Sequence, residues 1–159
     1  MSARCTEPRG FTLVELVAVL LLLGVLAAVA LPRLAGLGEF RSDAWRGQAL
    51  AGLRLAAATA VGHRRLVCAS FAADGQLSLS VAGSNPASSC GSSLPGPDGA
   101  SSFAEAAGTG VTVTPAGTLY FQPNGRVSRD GAGLQVANRS ITASGMAAIT
   151  VYGESGHAE

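Results

Sequence analysis

At 159 residues the chain has room for one domain and one membrane segment, and its formal net charge of +1 is too near zero to imply an electrostatic partner. Nearly half of the residues are apolar, yet only 13% are charged and 5% aromatic. That is about half the charge of an ordinary soluble domain, and the shortfall is concentrated near the N-terminus. All 11 basic residues are arginine, spread along the chain, which reads as compositional bias rather than as a functional feature.

The first element is the apolar run from Phe11 to Leu31, 21 residues broken only by Thr12, Glu15 and Gly24. As a helix it reaches roughly 31 Å at 1.5 Å per residue, close to the ~30 Å hydrocarbon core of a bilayer. A secretory signal would have a shorter apolar core followed by a small-residue cleavage site, for which Ala27, Ala28 and Ala30 are candidates. Glu15 argues against both a signal peptide and a plain anchor. A charged residue near mid-span costs on the order of 2.5–3.5 kcal/mol, less towards one end, and marks a functional site whose partner has to be named. Cleavage between Gly10 and Phe11 would create an α-amine one helical turn before Glu15, and the i to i+4 spacing puts both groups on one side of the helix. The amine of the same chain or of a neighbour then neutralises the carboxylate, and the second arrangement fixes axial register between helices. The alternative is that Glu15 merely snorkels to the interface.

The flanking residues favour the first reading. Arg9-Gly10-Phe11-Thr12-Leu13-Val14-Glu15-Leu16 resembles the cleavage and methylation motif of type IV prepilins. The resemblance implies a leader removed after Gly10, methylation of the new N-terminus at Phe11, and Glu15 as the fifth mature residue. It also implies a prepilin peptidase/methyltransferase as processing partner, an inner-membrane assembly platform, other pilin or pseudopilin subunits packed through the N-terminal helix, and a pilus or pseudopilus as destination. Pro32 stands where such helices are bent or locally melted, in keeping with its missing N–H.

Beyond the membrane segment, Leu34, Leu37, Phe40 and Ala44, then Leu50, Leu53, Ala57 and Ala60, recur at three- and four-residue steps to about His63. Gly36, Gly38, Gly47, Gly52 and Gly62 each weaken a helix by about 1 kcal/mol relative to alanine, so packing against a sheet has to hold it. Phe40 and Trp45 read as core or linker packing. After His63 the period changes. Segments 66–72 and 76–82 flank Ala73-Asp74-Gly75, a hairpin signal. A Ser/Gly/Pro-rich loop over 83–108 follows. Strands are then expected at Val111–Thr114, Thr118–Gln122, Arg126–Ser128, Leu134–Asn138 and Ile141–Tyr152, the last broken near Gly145. A helix followed by a run of strands is an α+β arrangement, here a pilin-like long helix on an antiparallel β-sheet head. The expected organisation is a leader over 1–10, a transmembrane and assembly helix over 11–32, an amphipathic second half over 33–64 and a periplasmic β-rich head over 65–159. The protein is thus expected in the inner membrane as a single-pass precursor in contact with lipid, then in a filament.

Cys5 leaves with the leader, and in an exported head the remaining Cys68 and Cys90 read as a disulfide. No CxxC motif is present, and His63 and His157 lack partners at metal-ligand spacing, so neither a metal nor a cofactor is expected. Nucleophile elbow, Walker loop and zinc-helix motifs are missing as well, so no enzyme is expected.

The region after the membrane segment resembles the minor-pilin branch that includes FimT and the H-type pseudopilins of type II secretion, and within it the minor pilin of mannose-sensitive haemagglutinin pili (MshC-like). The carrying residues are Leu53-Arg54-Leu55-Ala56, His63-Arg64-Arg65-Leu66-Val67-Cys68, Cys90, Leu119-Tyr120-Phe121-Gln122-Pro123-Asn124-Gly125-Arg126 and the tail from Ile149 to His157. The implied role is pilus assembly or adhesion, with protein export or DNA uptake as alternatives. FimT-like pilins use a C-terminal Gly-Arg-x-Arg element for DNA, whereas this chain ends Gly156-His157-Ala158-Glu159. A DNA contact would fall to Arg126 and Arg129, beside Arg139. Removing the leader takes Arg4, Arg9 and Glu7 from 11 arginines and 10 acids, leaving nine of each. Phosphate binding needs accumulated positive charge, so nucleic acid is not the expected partner. Arg64 and Arg65 read as a solvated helix end.

Overall fold

The computed structural model describes residues 12–35, 37–96, 99–105, 107 and 110–159, with side chains except over 30–35 and 37–41. Leader residues, Gly10 and Phe11 included, lie outside the described residues. Two compact units divide the chain, Met1–Gly38 and Glu39–Glu159.

The first unit contains helix α1, Leu13–Ala35. Thr12 opens it as an N-cap: its Oγ1 accepts the Glu15 N–H at 3.2 Å and its carbonyl accepts the Leu16 N–H at 3.1 Å. A threonine hydroxyl at that place satisfies one of the amide donors left free at a helix start. From Leu13 to Val29 every side chain is exposed. A helix apolar all round is stable only when lipid or other helices cover it. Its backbone stays helical through Pro32 to Ala35.

Helix α2, Leu37–Gly62, belongs to the second unit from Glu39 onward and presents Trp45, Ala49, Leu53, Ala56 and Ala60 to the core. Those intervals of three and four residues put them on one face. The burial phase departs from the sequence expectation at Ala44, which is exposed because Trp45 takes the inward position. Gly52 has a packing reason to be glycine. A Cβ there would lie 2.7 Å from Leu77 Cδ2 and 3.2 Å from Phe103 Cβ. The helix ends in a Schellman arrangement, with Arg65 N–H donating to the Ala60 carbonyl at 3.1 Å and Arg64 N–H to that of Val61 at 3.3 Å. Arg64 takes the left-handed position, φ 52°, where glycine is usual.

Strands β1 (Val67–Phe71), β2 (Leu77–Val81), β3 (Ser92–Leu94), β4 (Val111–Thr114), β5 (Leu119–Phe121), β6 (Val127–Ser128), β7 (Arg139–Ala143) and β8 (Ile149–Val151) form two sheets. One is ordered β3-β2-β1-β5-β6 and the other β4-β7-β8, and every pairing is antiparallel. The α+β expectation holds. The β1–β2 hairpin turns at Gly75, φ 93°, and Asp74 Oδ1 accepts the Gln76 N–H. Odd-numbered β1 residues, Leu77, Leu79, Leu119, Phe121 and Val127 face α2 in the main core, as two-residue alternation requires.

Two strand expectations need correction. The segment 83–108 is not all loop, since β3 pairs with the edge of β2. Its sequence, Ser-Ser-Leu, carries no alternation to announce it, and only Leu94 is partly covered. Leu134–Asn138 is not a strand; it contributes one isolated bridge, Ser128 to Val136. The Asp130 carboxylate accepts the Leu134 and Gln135 N–H groups at 2.9–3.0 Å, so a side chain has taken the place of a strand partner. The expected break near Gly145 separates β7 from β8. The C-terminal tail pairs with β8 through Thr150 and Glu159, and Arg54 of α2 holds the Ala158 carbonyl.

Candidate assembly site

Thr12-Leu13-Val14-Glu15 has the T-x-x-E spacing of a capping box, a local signal overshadowed by the charge of Glu15 in an apolar run. The structure contains the threonine half of that box. It places the Glu15 side chain, exposed, in the first turn of α1, where the positive end of the helix dipole favours a carboxylate. The Glu15 charge therefore sits at the one end of the apolar helix that compensates it locally. Gly10 and Phe11, the expected cleavage and methylation positions, are outside the described residues.

Cys68 and Cys90 are disulfide-bonded, Cα to Cα 6.1 Å. The bridge ties β1 to the irregular segment and lies in a second small cluster with Leu66, Ala82 and Tyr120, on the sheet face away from α2.

The arginines considered for DNA do not form one basic face. Arg126 makes a 2.9 Å ion pair with Glu154, both exposed. Arg129 is exposed. Arg139, by contrast, is 1% exposed. It stands in β7 in phase with Ile141, two residues on, and that alternation is the signal that could have marked it as inward. Its Nη2 donates to the Gly117 carbonyl at 2.5 Å and the Thr118 carbonyl at 3.3 Å. The other two guanidinium nitrogens have no protein partner among the described residues. Burial, then the charge of Arg129, holds Arg139 below the usual arginine range, with Tyr120 acting in the opposite sense. Among the described residues no three His, Cys, Asp or Glu side chains gather as metal ligands. His63 is exposed, and the His157 ring stacks on Tyr152.

Residues 8–31 match the model of the prokaryotic N-terminal methylation motif. No curated protein and no solved structure matches the chain. The motif supports a type IV pilin- or pseudopilin-like subunit, a structural component processed by a prepilin peptidase and assembled with other pilin subunits. The α+β layout, helices first and antiparallel sheets after, is consistent with a pilin-like fold. Among the described residues no helix is long and apolar enough to cross a membrane. The part of α1 with described side chains, Leu13 to Val29, covers only about 26 Å at 1.5 Å per residue.

Proposed function

We propose that the chain is a non-enzymatic minor pilin or pseudopilin of a type IV filament system. Cleavage after Gly10 releases the 1–10 leader, Phe11 is methylated at its new amine, and Glu15 pairs with an α-amine of its own or a neighbouring chain. Before assembly, residues 11–32 span the inner membrane, 33–64 continue as the amphipathic half, and 65–159 form the periplasmic head. The assembly platform then draws the subunit from lipid into a filament through the apolar helix. The observation that carries this reading is the methylation-motif match over residues 8–31, joined to a helix exposed and apolar on all sides with one acid in its first turn.

Mass spectrometry of the processed protein tests it. The expected N-terminal residue is a methylated phenylalanine corresponding to Phe11; a chain that keeps its leader when the peptidase is present overturns the reading. Use in type II secretion rather than in a pilus is the second reading. Deleting the gene separates them: the pilus reading expects loss of surface filaments with secretion intact, and the secretion reading expects the reverse.

A further inference from the structure

Two strand edges stop pairing on either side of one cleft in the head. β1 pairs with β5 only as far as Ala69 opposite Leu119, although the same register would next set Phe71 opposite Gly117. The even-numbered residues of β1 bond to β2, as the Ala82 N–H on the Leu66 carbonyl and the Ala72 N–H on the Gln76 carbonyl show. The backbone groups of Phe71 therefore point away from β2. Among the described residues they meet no partner there, because Gly117 turns at φ 110° and its carbonyl accepts from the buried Arg139.

The opposite wall is β4. Thr150 exchanges both of its backbone bonds with Glu159 of the tail, and that sets the alternation back through β8 and β7. Thr112 and Thr114 bond to β7, while Val111 and Val113 turn their backbone groups outward. The Val111 N–H donates to the Ala73 carbonyl at 3.0 Å; the Val111 carbonyl and both groups of Val113 have no partner among the described residues. The Ala73–Val111 bond closes the cleft at one end, and the Ser70 and Thr118 hydroxyls, 3.3 Å apart, close it at the other. Between them lies a volume of about 410 Å³, bordered by Phe71, Ala72, Val113 and Gly117 and by no charged residue. Pockets of roughly 300–1,000 Å³ hold ligands in other proteins. From Ser70 to Ala73 the wall runs three residue steps, roughly 10 Å at 3.3 Å each. Open edges are ordinarily blunted by a charge, a proline or a covering segment, yet the β4 residues Val-Thr-Val-Thr include neither charge nor proline.

We propose that this cleft takes an extended, uncharged segment of a partner polypeptide, paired as an added strand on Val113 of β4 and on Phe71 of β1. The backbone groups, rather than the apolar lining, name the occupant. Donors and acceptors at strand spacing on two walls are matched by another peptide backbone. An apolar side chain or a hydrocarbon would leave them unpaired, at about 1–3 kcal/mol for each group it buried. A charged side chain would meet no counter-charge in the lining. In strand addition the main-chain bonds supply affinity and pockets for alternate side chains supply specificity; here Phe71, Val111 and Val113, all partly buried, form those pockets. The site belongs to the head alone and goes beyond the filament reading, which concerns the apolar helix.

Hydrogen exchange of the full-length chain in detergent, read for single amides by nuclear magnetic resonance, tests the site. The probe is a pool of pentapeptides, capped at both ends, in which Val or Ile alternates with Ser or Thr. Without peptide the Phe71 and Val113 amides are expected to exchange nearly as fast as in an unstructured chain, and with millimolar peptide both slow at least tenfold. The same peptides methylated at every internal amide nitrogen keep their side chains but not their donors, and are expected to slow neither. Val113→Pro removes one wall's donor at a strand edge, where proline is tolerated, and is expected to weaken peptide binding, followed at the Phe71 amide, at least fivefold. Either amide protected without peptide, either one unslowed by the pool, or equal slowing by the methylated peptides overturns the proposal.

Discussion

Two glycines of α2 offer a controlled experiment on packing. Gly47 and Gly52 are five residues apart in one helix, and replacing either with alanine gains about 1 kcal/mol of helix propensity. A Cβ at Gly47 meets nothing within 4 Å, whereas one at Gly52 lies 2.7 Å from Leu77 Cδ2 and 3.2–3.3 Å from Phe103. Leu77 is 0% exposed, so its Cδ2 is enclosed by the core, and the nearest Phe103 atom is its Cβ, which moves only with the backbone. Overpacking of this kind costs about 1–3 kcal/mol. Gly47→Ala is therefore expected to stabilise by about 1 kcal/mol, and Gly52→Ala to be neutral or to destabilise by up to about 2 kcal/mol. At about 4 °C per kcal/mol for a head of this size, the two melting temperatures should differ by roughly 4–12 °C. Thermal unfolding of the full chain in detergent, followed by circular dichroism, reads this out. Equal stabilisation by both substitutions would show that α2 does not sit on β2 and Phe103 at this spacing.

Removing the bridge by Cys68→Ser with Cys90→Ser should lower stability by about 3 kcal/mol, from the 22-residue separation in the chain-entropy estimate; a denaturation midpoint unmoved by the substitutions or by reductant contradicts this. The Tyr152 hydroxyl donates to Glu159 Oε1 at 2.5 Å, and that bond, then the Glu159 charge, raises its pKa above the usual tyrosine value. Because the folded-state pKa is the higher one, the contribution is complete below the unfolded value and is lost as pH rises through the folded one. Ultraviolet titration should show one tyrosine ionising late, and Glu159→Ala should move it earlier; no movement would detach the shift from Glu159. With Arg126 paired and Arg139 buried, gel-shift assays should show no DNA binding at physiological salt. Salt-sensitive binding abolished by Arg129→Ala would reverse that reading.

Much of the head was legible because its signals are local. The Asp74-Gly75 turn, the alternation of Leu77, Leu79 and Val81, and the change from helical to two-residue period after His63 each announce their element within a few residues. What escaped depends on partners that hydrophobic periodicity does not register. β3 is an edge strand whose pairing with β2 leaves no mark on Ser92-Ser93. Leu134–Asn138 alternates like a strand, but the Asp130 carboxylate captures its amides and leaves Leu134 85% exposed. Closeness in sequence groups Arg139 with Arg126 and Arg129, whereas β7 turns it inward towards the Gly117 carbonyl. Charge in a sequence carries no label for the face it occupies. Glu15 is the reverse case: its oddity inside an apolar run is visible at once and overshadows the Thr12 cap three residues before it.

Those two residues allow the role of the acid to be divided. In the capped first turn, a side chain at position 15 interacts with free amides and the helix dipole, and an uncharged glutamine can still accept hydrogen bonds there. Neutralising a terminal amine requires the negative charge itself. Glu15→Gln and Glu15→Leu therefore separate helix capping from charge pairing. If Glu15 serves only the cap, the glutamine variant should enter filaments nearly as well as wild type, and only leucine should fail. If it compensates the Phe11 amine, as proposed, both should fail, because each leaves a positive charge uncompensated among apolar helices, at a cost of a few kcal/mol. Thr12→Ser should be tolerated either way, since serine keeps the hydroxyl that caps the helix. Filament incorporation of the glutamine variant at wild-type levels would sink the charge-pairing mechanism and leave Glu15 a capping residue.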